Sequence, residues 1–113
     1  MSRNFLSINE ELQKGDFLLS NNSEYKAIFQ DDGNFVVYGW ALLWATDTGG
    51  IPGISRLAMQ NDCNLVIYTP DKPVWAAGSY SPDLTTCRLT LGNDGILAIH
   101  RDKHMVWKST KKN

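Results

Sequence analysis

In the segment QDDGNFVVY, five side chains stand at alternate positions: Gln30, Asp32, Asn34, Val36 and Tyr38. QNDCNLVIY repeats the set as Gln60, Asp62, Asn64, Val66 and Tyr68. Alternate residues of an extended chain share one face. That face carries an acceptor-only carboxylate, amides that donate and accept, and a phenol that does either. The valine adds a small apolar wall. No nucleophile stands beside a base, and no carboxylate pair occupies the alternate positions of a copy. Such a set holds a ligand and does not react with it. A sugar ring, with adjacent hydroxyls and apolar C–H patches, has the matching inventory, and the carboxylate supplies a charge-assisted bond. Turn geometry alone can account for the Asp and Asn. It does not reach Gln30 and Tyr38, or their recurrence as Gln60 and Tyr68.

The elements that position these residues are repeated three times. KAIFQDDGNFVVY (26–38), RLAMQNDCNLVIY (56–68) and RLTLGNDGILAIH (88–100) align without gaps. Each opens on a basic residue. Apolar residues recur at Ala27 and Phe29, Leu57 and Met59, and Leu89 and Leu91. They resume after the polar interruption at Phe35 and Val37, Leu65 and Ile67, and Leu97 and Ile99. Trp44, Trp75 and Trp107 follow, giving a period of about 30 residues. The spacing of two within a copy indicates strands, and DDGN, NDCN and NDGI indicate hairpin turns. Further turn signals stand at Gly49-Gly50, Pro52-Gly53, Thr69-Pro70-Asp71, Gly78 and Ser81-Pro82-Asp83. No segment has helical periodicity. The chain therefore reads as all-β: one domain over 1–113, with repeats at about 26–54, 56–87 and 88–113. A hairpin cannot bury its own apolar face, so the three face a common axis, with the tryptophans in the core. Strand-like material precedes them around Leu12 and from Phe17 to Leu19.

In the third copy the alternate set becomes Gly92, Asp94, Ile96, Ala98 and His100. Gly92 has no amide and Ile96 no hydrogen-bonding group. This copy keeps its inward residues and loses its site. His100 and His104 in HRDKH lack the further ligands of a zinc centre, so no metal and no cofactor is expected.

The doubled Q-x-D-x-N-x-V-x-Y motif, the period and the trailing tryptophan resemble the monocot mannose-binding, or bulb-type, lectin family. LQKGDFL near the start and WATDTGG (44–50) extend the likeness over nearly the whole chain. The resemblance implies a β-prism II fold, with three four-stranded antiparallel sheets about a pseudo-three-fold axis. It implies calcium-independent binding of α-D-mannose, the polar residues bonding the hydroxyls and the valine packing on the ring. It implies mannose-containing glycans as partners, a homodimer, and a role in surface or mucosal defence by agglutination. Similar lectins occur in fish skin mucus. The resemblance also implies a Cys63–Cys87 bridge, closing a loop of about two dozen residues worth roughly 3 kcal/mol, and with it an oxidising destination.

Bulk properties agree with a soluble binding module. At 42% hydrophobic, 20% charged and a net charge of −1, the chain offers no general attraction for nucleic acid or membrane. A local basic excess (Arg88, Arg101, Lys103, Lys108, Lys111, Lys112) reads as a solvated chain end. No apolar stretch is long enough for a membrane span. MSRNFLSINEELQKG has no apolar core of a cleavable signal. The expected location is extracellular or in mucus without a recognisable signal peptide, the cytoplasm being the other option. Without access to the ER the Asn21-Asn22-Ser23 sequon goes unused. The chain has no Gly-x-Ser-x-Gly, no phosphate loop and no catalytic Cys–His arrangement, so no enzyme is expected. The competing reading is a protein-interaction module on the same fold with little sugar binding.

Overall fold

The computed structural model describes residues 3–82 and 86–109. Asp83 of the third-copy approach and Lys111 and Lys112 of the basic end lie outside the described residues. The regular elements are strands: β1 (Phe5–Ser7), β2 (Glu10–Gln13), β3 (Phe17–Leu19), β4 (Lys26–Phe29), β5 (Phe35–Tyr38), β6 (Leu42–Ala45), β7 (Arg56–Met59), β8 (Leu65–Tyr68), β9 (Pro73–Ala76), β10 (Cys87–Leu91), β11 (Leu97–Arg101) and β12 (His104–Lys108). They form three four-stranded sheets, ordered β3-β4-β5-β6, β2-β7-β8-β9 and β1-β10-β11-β12. All pairings are antiparallel. This is the β-prism II arrangement, with extents of 37 × 35 × 33 Å.

Each copy supplies three strands of its sheet: the hairpin and the strand bearing the tryptophan. The fourth comes from the N-terminal segment, which visits the sheets in reverse order. β1 joins the third copy, β2 the second and β3 the first. Leu6, Leu12 and Leu18 are the inward residues of these strands and all are buried. β1 escapes the sequence reading, its single apolar pair Phe5-Leu6 being followed at once by the polar Ser7.

The hairpin loops explain the Asn/Asp/Gly chemistry. Gly33, Cys63 and Gly95 stand at the same loop position with φ of 89°, 72° and 80°. Their N–H groups donate to Gln30, Gln60 and Gly92 carbonyls at 2.9, 3.0 and 3.0 Å. This is a three-residue loop ending in a left-handed residue, where glycine is favoured. Cys63 occupies it in the second copy, bridged to Cys87 at the start of β10, with Cα atoms 5.5 Å apart. The bridge ties the second hairpin loop to the third sheet.

The inward positions of every copy are fully buried. Trp44, Trp75 and Trp107 are partly buried and pack on this core. They also meet one another edge to face, with centroids 5.9, 5.5 and 6.1 Å apart. Ile54 closes the core beside the first hairpin loop. A Cβ at Gly33 would stand 2.8 Å from its Cδ1.

Gly33→Ala therefore combines a left-handed backbone with an overlap. It should cost about 1–3 kcal/mol, read as a lowered urea midpoint. Gly50→Ala, at φ 83° with open space around its Cβ, should cost only the backbone part, about 1 kcal/mol.

Candidate functional site

The five alternate residues of each intact copy are drawn together by hydrogen bonds inside the hairpin. Gln30 Nε2 donates to Tyr38 Oη at 2.8 Å. The Gln60 amide makes the same bond to the Tyr68 hydroxyl. A phenol that accepts from the glutamine keeps its own proton for an outside acceptor, and the glutamine keeps its carbonyl oxygen. Asp32 Oδ1 accepts the Asn34 N–H at 2.9 Å, and Asp62 Oδ1 the Asn64 N–H at 3.0 Å. The second oxygen of each carboxylate takes no protein hydrogen bond among the described residues. Gly49 stands close to it in the first copy, where a Cβ would be 3.1 Å from Asp32 Oδ2.

The asparagines are oriented from behind by the chain that follows each tryptophan. Asn34 Oδ1 accepts from the Thr46 hydroxyl at 3.1 Å and the Thr48 N–H at 3.3 Å. Thr48 in turn donates its hydroxyl to the Gly33 carbonyl at 2.7 Å. In the second copy Asn64 Oδ1 accepts the Gly78 and Ser79 N–H groups at 3.1 and 3.2 Å, and the Ser79 hydroxyl donates to the Cys63 carbonyl at 2.6 Å. With its oxygen engaged, each amide presents its NH₂. The patch thus offers a carboxylate oxygen and a glutamine oxygen as acceptors, and an amide and a phenol as donors. Adjacent hydroxyls on one face of a ring meet such an array.

Thr46, Thr48 and Ser79 were not among the sequence-derived candidates. The signal for Thr48 and Ser79 is a hydroxyl four residues after Trp44 and Trp75, in WATDT and WAAGS; Thr46 stands two residues after Trp44. A second correction concerns the valines. Alternation predicted Val36 and Val66 on the open face, but they are 1% and 3% exposed. Each lies on a central strand between flanking partners, Ile28 and Ala45 for Val36, Ala58 and Ala76 for Val66. They form the floor of the patch and not its wall.

The third copy keeps the loop and drops the array. Asp94 Oδ1 accepts the Ile96 N–H at 3.0 Å, the turn bond of Asp32 and Asp62. Its retention is explained by the backbone alone. A Cβ at Gly92 would meet Asp94 Oδ1 at 2.7 Å, so the carboxylate closes over the place of the glutamine. Ile96 and His100 are exposed, Gly92 and Ala98 half-buried. Gly92, Ile96 and Ala98 carry no side-chain hydrogen-bonding group, and the His100 imidazole, of a different shape from a phenol, has no glutamine beside it.

Comparison with known proteins agrees with these features. No family model matches the chain. A B-type lectin, plumieribetin, from Scorpaena plumieri is 50% identical over 109 residues, covering 96% of each chain. The fold is similar to that of monomeric monocot mannose-binding lectins from Gastrodia elata, with a TM-score of 0.83, 31% identity, and 94% of this chain and 96% of that one covered. It is also similar to the mannose-specific agglutinin of snowdrop (Galanthus nivalis) bulbs complexed with methyl-α-D-mannoside. That likeness has a TM-score of 0.76 and 37% identity, and covers 86% of this chain and 88% of that one.

Thr48→Val keeps the side-chain shape and removes the hydroxyl that satisfies the buried Gly33 carbonyl. Chemical denaturation should show a loss of about 1–3 kcal/mol.

Proposed function

The chain belongs to the B-type, or bulb-type, lectin family, and from that premise we propose that it binds terminal α-mannose at two sites. It is a lectin, holding carbohydrate without turning it over. The first site is Gln30, Asp32, Asn34, Val36 and Tyr38; the second is Gln60, Asp62, Asn64, Val66 and Tyr68. The observation that carries this reading is the division of labour within each carboxylate: one oxygen caps the loop and the other is left for a ligand, beside an oriented amide. The same division is built twice from unconnected hairpins. The third copy, lacking that array, is silent toward mannose.

Binding is calcium-independent in this reading. Each site contributes one carboxylate, too few for a cage of about six to eight oxygens. The Cys63–Cys87 bridge supports an oxidising, extracellular destination, and glycans on glycoproteins or microbial surfaces are the partners. A shallow site holds one mannose weakly, with a dissociation constant on the order of a millimolar. Useful affinity for a surface comes from engaging several mannoses at once. Two sites per chain, and four in a homodimer, suit agglutination in defence.

The structure selects the variant that tests this. Asp32→Asn retains a loop-capping oxygen and removes the ligand-facing charge. Calorimetric titration with methyl α-mannoside should fall from two sites to one, as it should for Asp62→Asn. The double variant should stay folded and bind none. Asp94→Asn should leave both sites intact, and three equivalent sites in the wild type would refute the reading of the third copy. Retention on a mannose column should survive EDTA. Elution by the chelator with recovery on adding calcium would overturn the metal-free site. Galactose should compete about 10-fold or more less well than mannose, because a misplaced hydroxyl leaves the Asp and Asn unpaired.

A further inference from the structure

The two intact sites have different neighbours. Beside Gln60 and Asp62 lies a cleft of about 340 Å³, lined also by Asn9, Glu10, Glu11 and Arg56. That volume is within the range of about 300–1,000 Å³ for small-molecule sites. We propose that this cleft is a second sugar subsite, so that the second copy takes an oligosaccharide, a mannose with a neutral sugar linked to it, while the first takes a terminal residue alone. The inference rests on the mannose reading above and concerns what adjoins one of its sites.

The internal repeat provides the comparison. Glu11 stands opposite Ala58 in β2–β7, as Phe17 stands opposite Ile28 in β3–β4. Asn9 and Gly15 correspond: both have positive φ, and their N–H groups donate to the Met59 and Phe29 carbonyls at 2.7 and 2.6 Å. At the place of the cleft the first copy therefore has Gly15, Phe17 and Ile28, with the Lys26 ammonium 4.0 Å from the Phe17 ring centroid. It keeps one carboxylate, Asp16 in the place of Glu10 and bonded to the Gln13 N–H at 2.8 Å as Glu10 is to Ser7, but Phe17 and Ile28 make the rest apolar. The second copy puts Asn9 for Gly15 and Glu11 for Phe17, and shortens the isoleucine to Ala58, which opens the floor.

Those groups are held in place before any ligand arrives. Glu10 accepts the Ser7 N–H at 2.7 Å and pairs with Arg3 at 3.1 Å. The Ser7 bond first, then Arg3 and Arg88, outweigh a burial penalty and hold its carboxyl below the usual carboxylate range, so it is an acceptor at neutral pH. Glu11 accepts from Gln13 at 2.8 Å and from Arg56 at 3.3 Å. The Arg56 guanidinium also lies 4.4 Å from the Tyr68 ring centroid. One side chain thus joins the cleft to the phenol of the mannose set. With three carboxylates lining the cleft, Glu10, Glu11 and Asp62, and Arg56 engaged by Glu11, the occupant is uncharged and rich in hydroxyls. A sialylated or sulfated sugar is disfavoured.

Tyr80 adds an independent observation. The Ser81 N–H donates to the Asp62 carbonyl as the Gly50 N–H does to that of Asp32. The preceding residues correspond, so Tyr80 replaces the Gly49 that stands close to Asp32 Oδ2. Tyr80 is 61% exposed, an aromatic face beside Asp62 on which a pyranose C–H surface can pack.

The test uses the intact chain carrying Asp32→Asn, which isolates the second site. It is titrated with methyl α-mannoside and with the α1,2-, α1,3- and α1,6-linked mannobioses. At least one mannobiose should bind about 10-fold tighter than the monosaccharide, as one or two added charge-assisted bonds imply. Glu11→Phe with Ala58→Ile, the residues of the first copy, should erase that advantage and leave methyl α-mannoside binding unchanged. Glu11→Gln should reduce it several-fold and decides the matter if the double variant fails to fold. The chain carrying Asp62→Asn should show no advantage for any mannobiose. Normal binding of methyl α-mannoside with no tighter mannobiose overturns the subsite, as does an advantage that survives Glu11→Gln. Loss of methyl α-mannoside binding in the Asp32→Asn chain instead refutes the underlying two-site reading.

Discussion

Three indole rings meeting edge to face hold this molecule to its symmetry. Trp44, Trp75 and Trp107 come one from each sheet, and each stands opposite an inward aliphatic residue of the neighbouring strand: Val37, Ile67 and Ile99. Edge-to-face aromatic pairs contribute about 0.5–1.5 kcal/mol each beyond burial. Their larger effect is geometric, since a triangle of rings closes only if the three sheets keep equal distance from the axis. The inward aliphatic residues then fill the space that remains. With inner faces committed to the axis, the outer faces must carry whatever the protein does, and the repeat gives each of them the same frame.

On that frame the hairpin loop serves two ends with one set of atoms. The aspartate closes the loop with one oxygen, and the asparagine is locked to the segment that follows the tryptophan-bearing strand. What points outward is the unused half of each group. This explains how a copy can lose its recognition chemistry and keep its shape. Asp94 still caps its loop although the amide, phenol and asparagine around it are gone. The frame tolerates divergence because its own needs are met by backbone groups, one aspartate oxygen and hydroxyls that follow the tryptophan-bearing strand.

Much of this was legible from the chain. Strict alternation placed Ala27, Phe29, Leu57, Met59, Leu89 and Leu91 in the core, because a period of two leaves no choice of face. The loops followed from their Asp, Asn and Gly residues. The disulfide was available only through family resemblance, since two cysteines carry no geometry of their own. Other features depended on partners remote in sequence and so escaped a local reading. The burial of Val36 and Val66 comes from strands on both sides. Thr48 and Ser79 act across separations of 14 and 15 residues on Asn34 and Asn64. The destination of β1, β2 and β3 is a matter of topology that three- and four-residue strands cannot announce.

That topology bears on the order in which the protein can assemble. The N-terminal segment lays down one edge strand for each sheet before any copy exists. β3 finds its partner at once, with Leu19 against Lys26, whereas β1 waits for β10, with Phe5 against Thr90. On a ribosome the first sheet can close when Ala45 has emerged, the second after Ala76, and the third only after Lys108. The strand made first is the last to pair. Until then its open hydrogen-bonding edge is a surface on which a neighbouring nascent chain can add. Such long-range closure is entropically slow, so the final sheet sets the pace at which the whole prism becomes safe from misassembly.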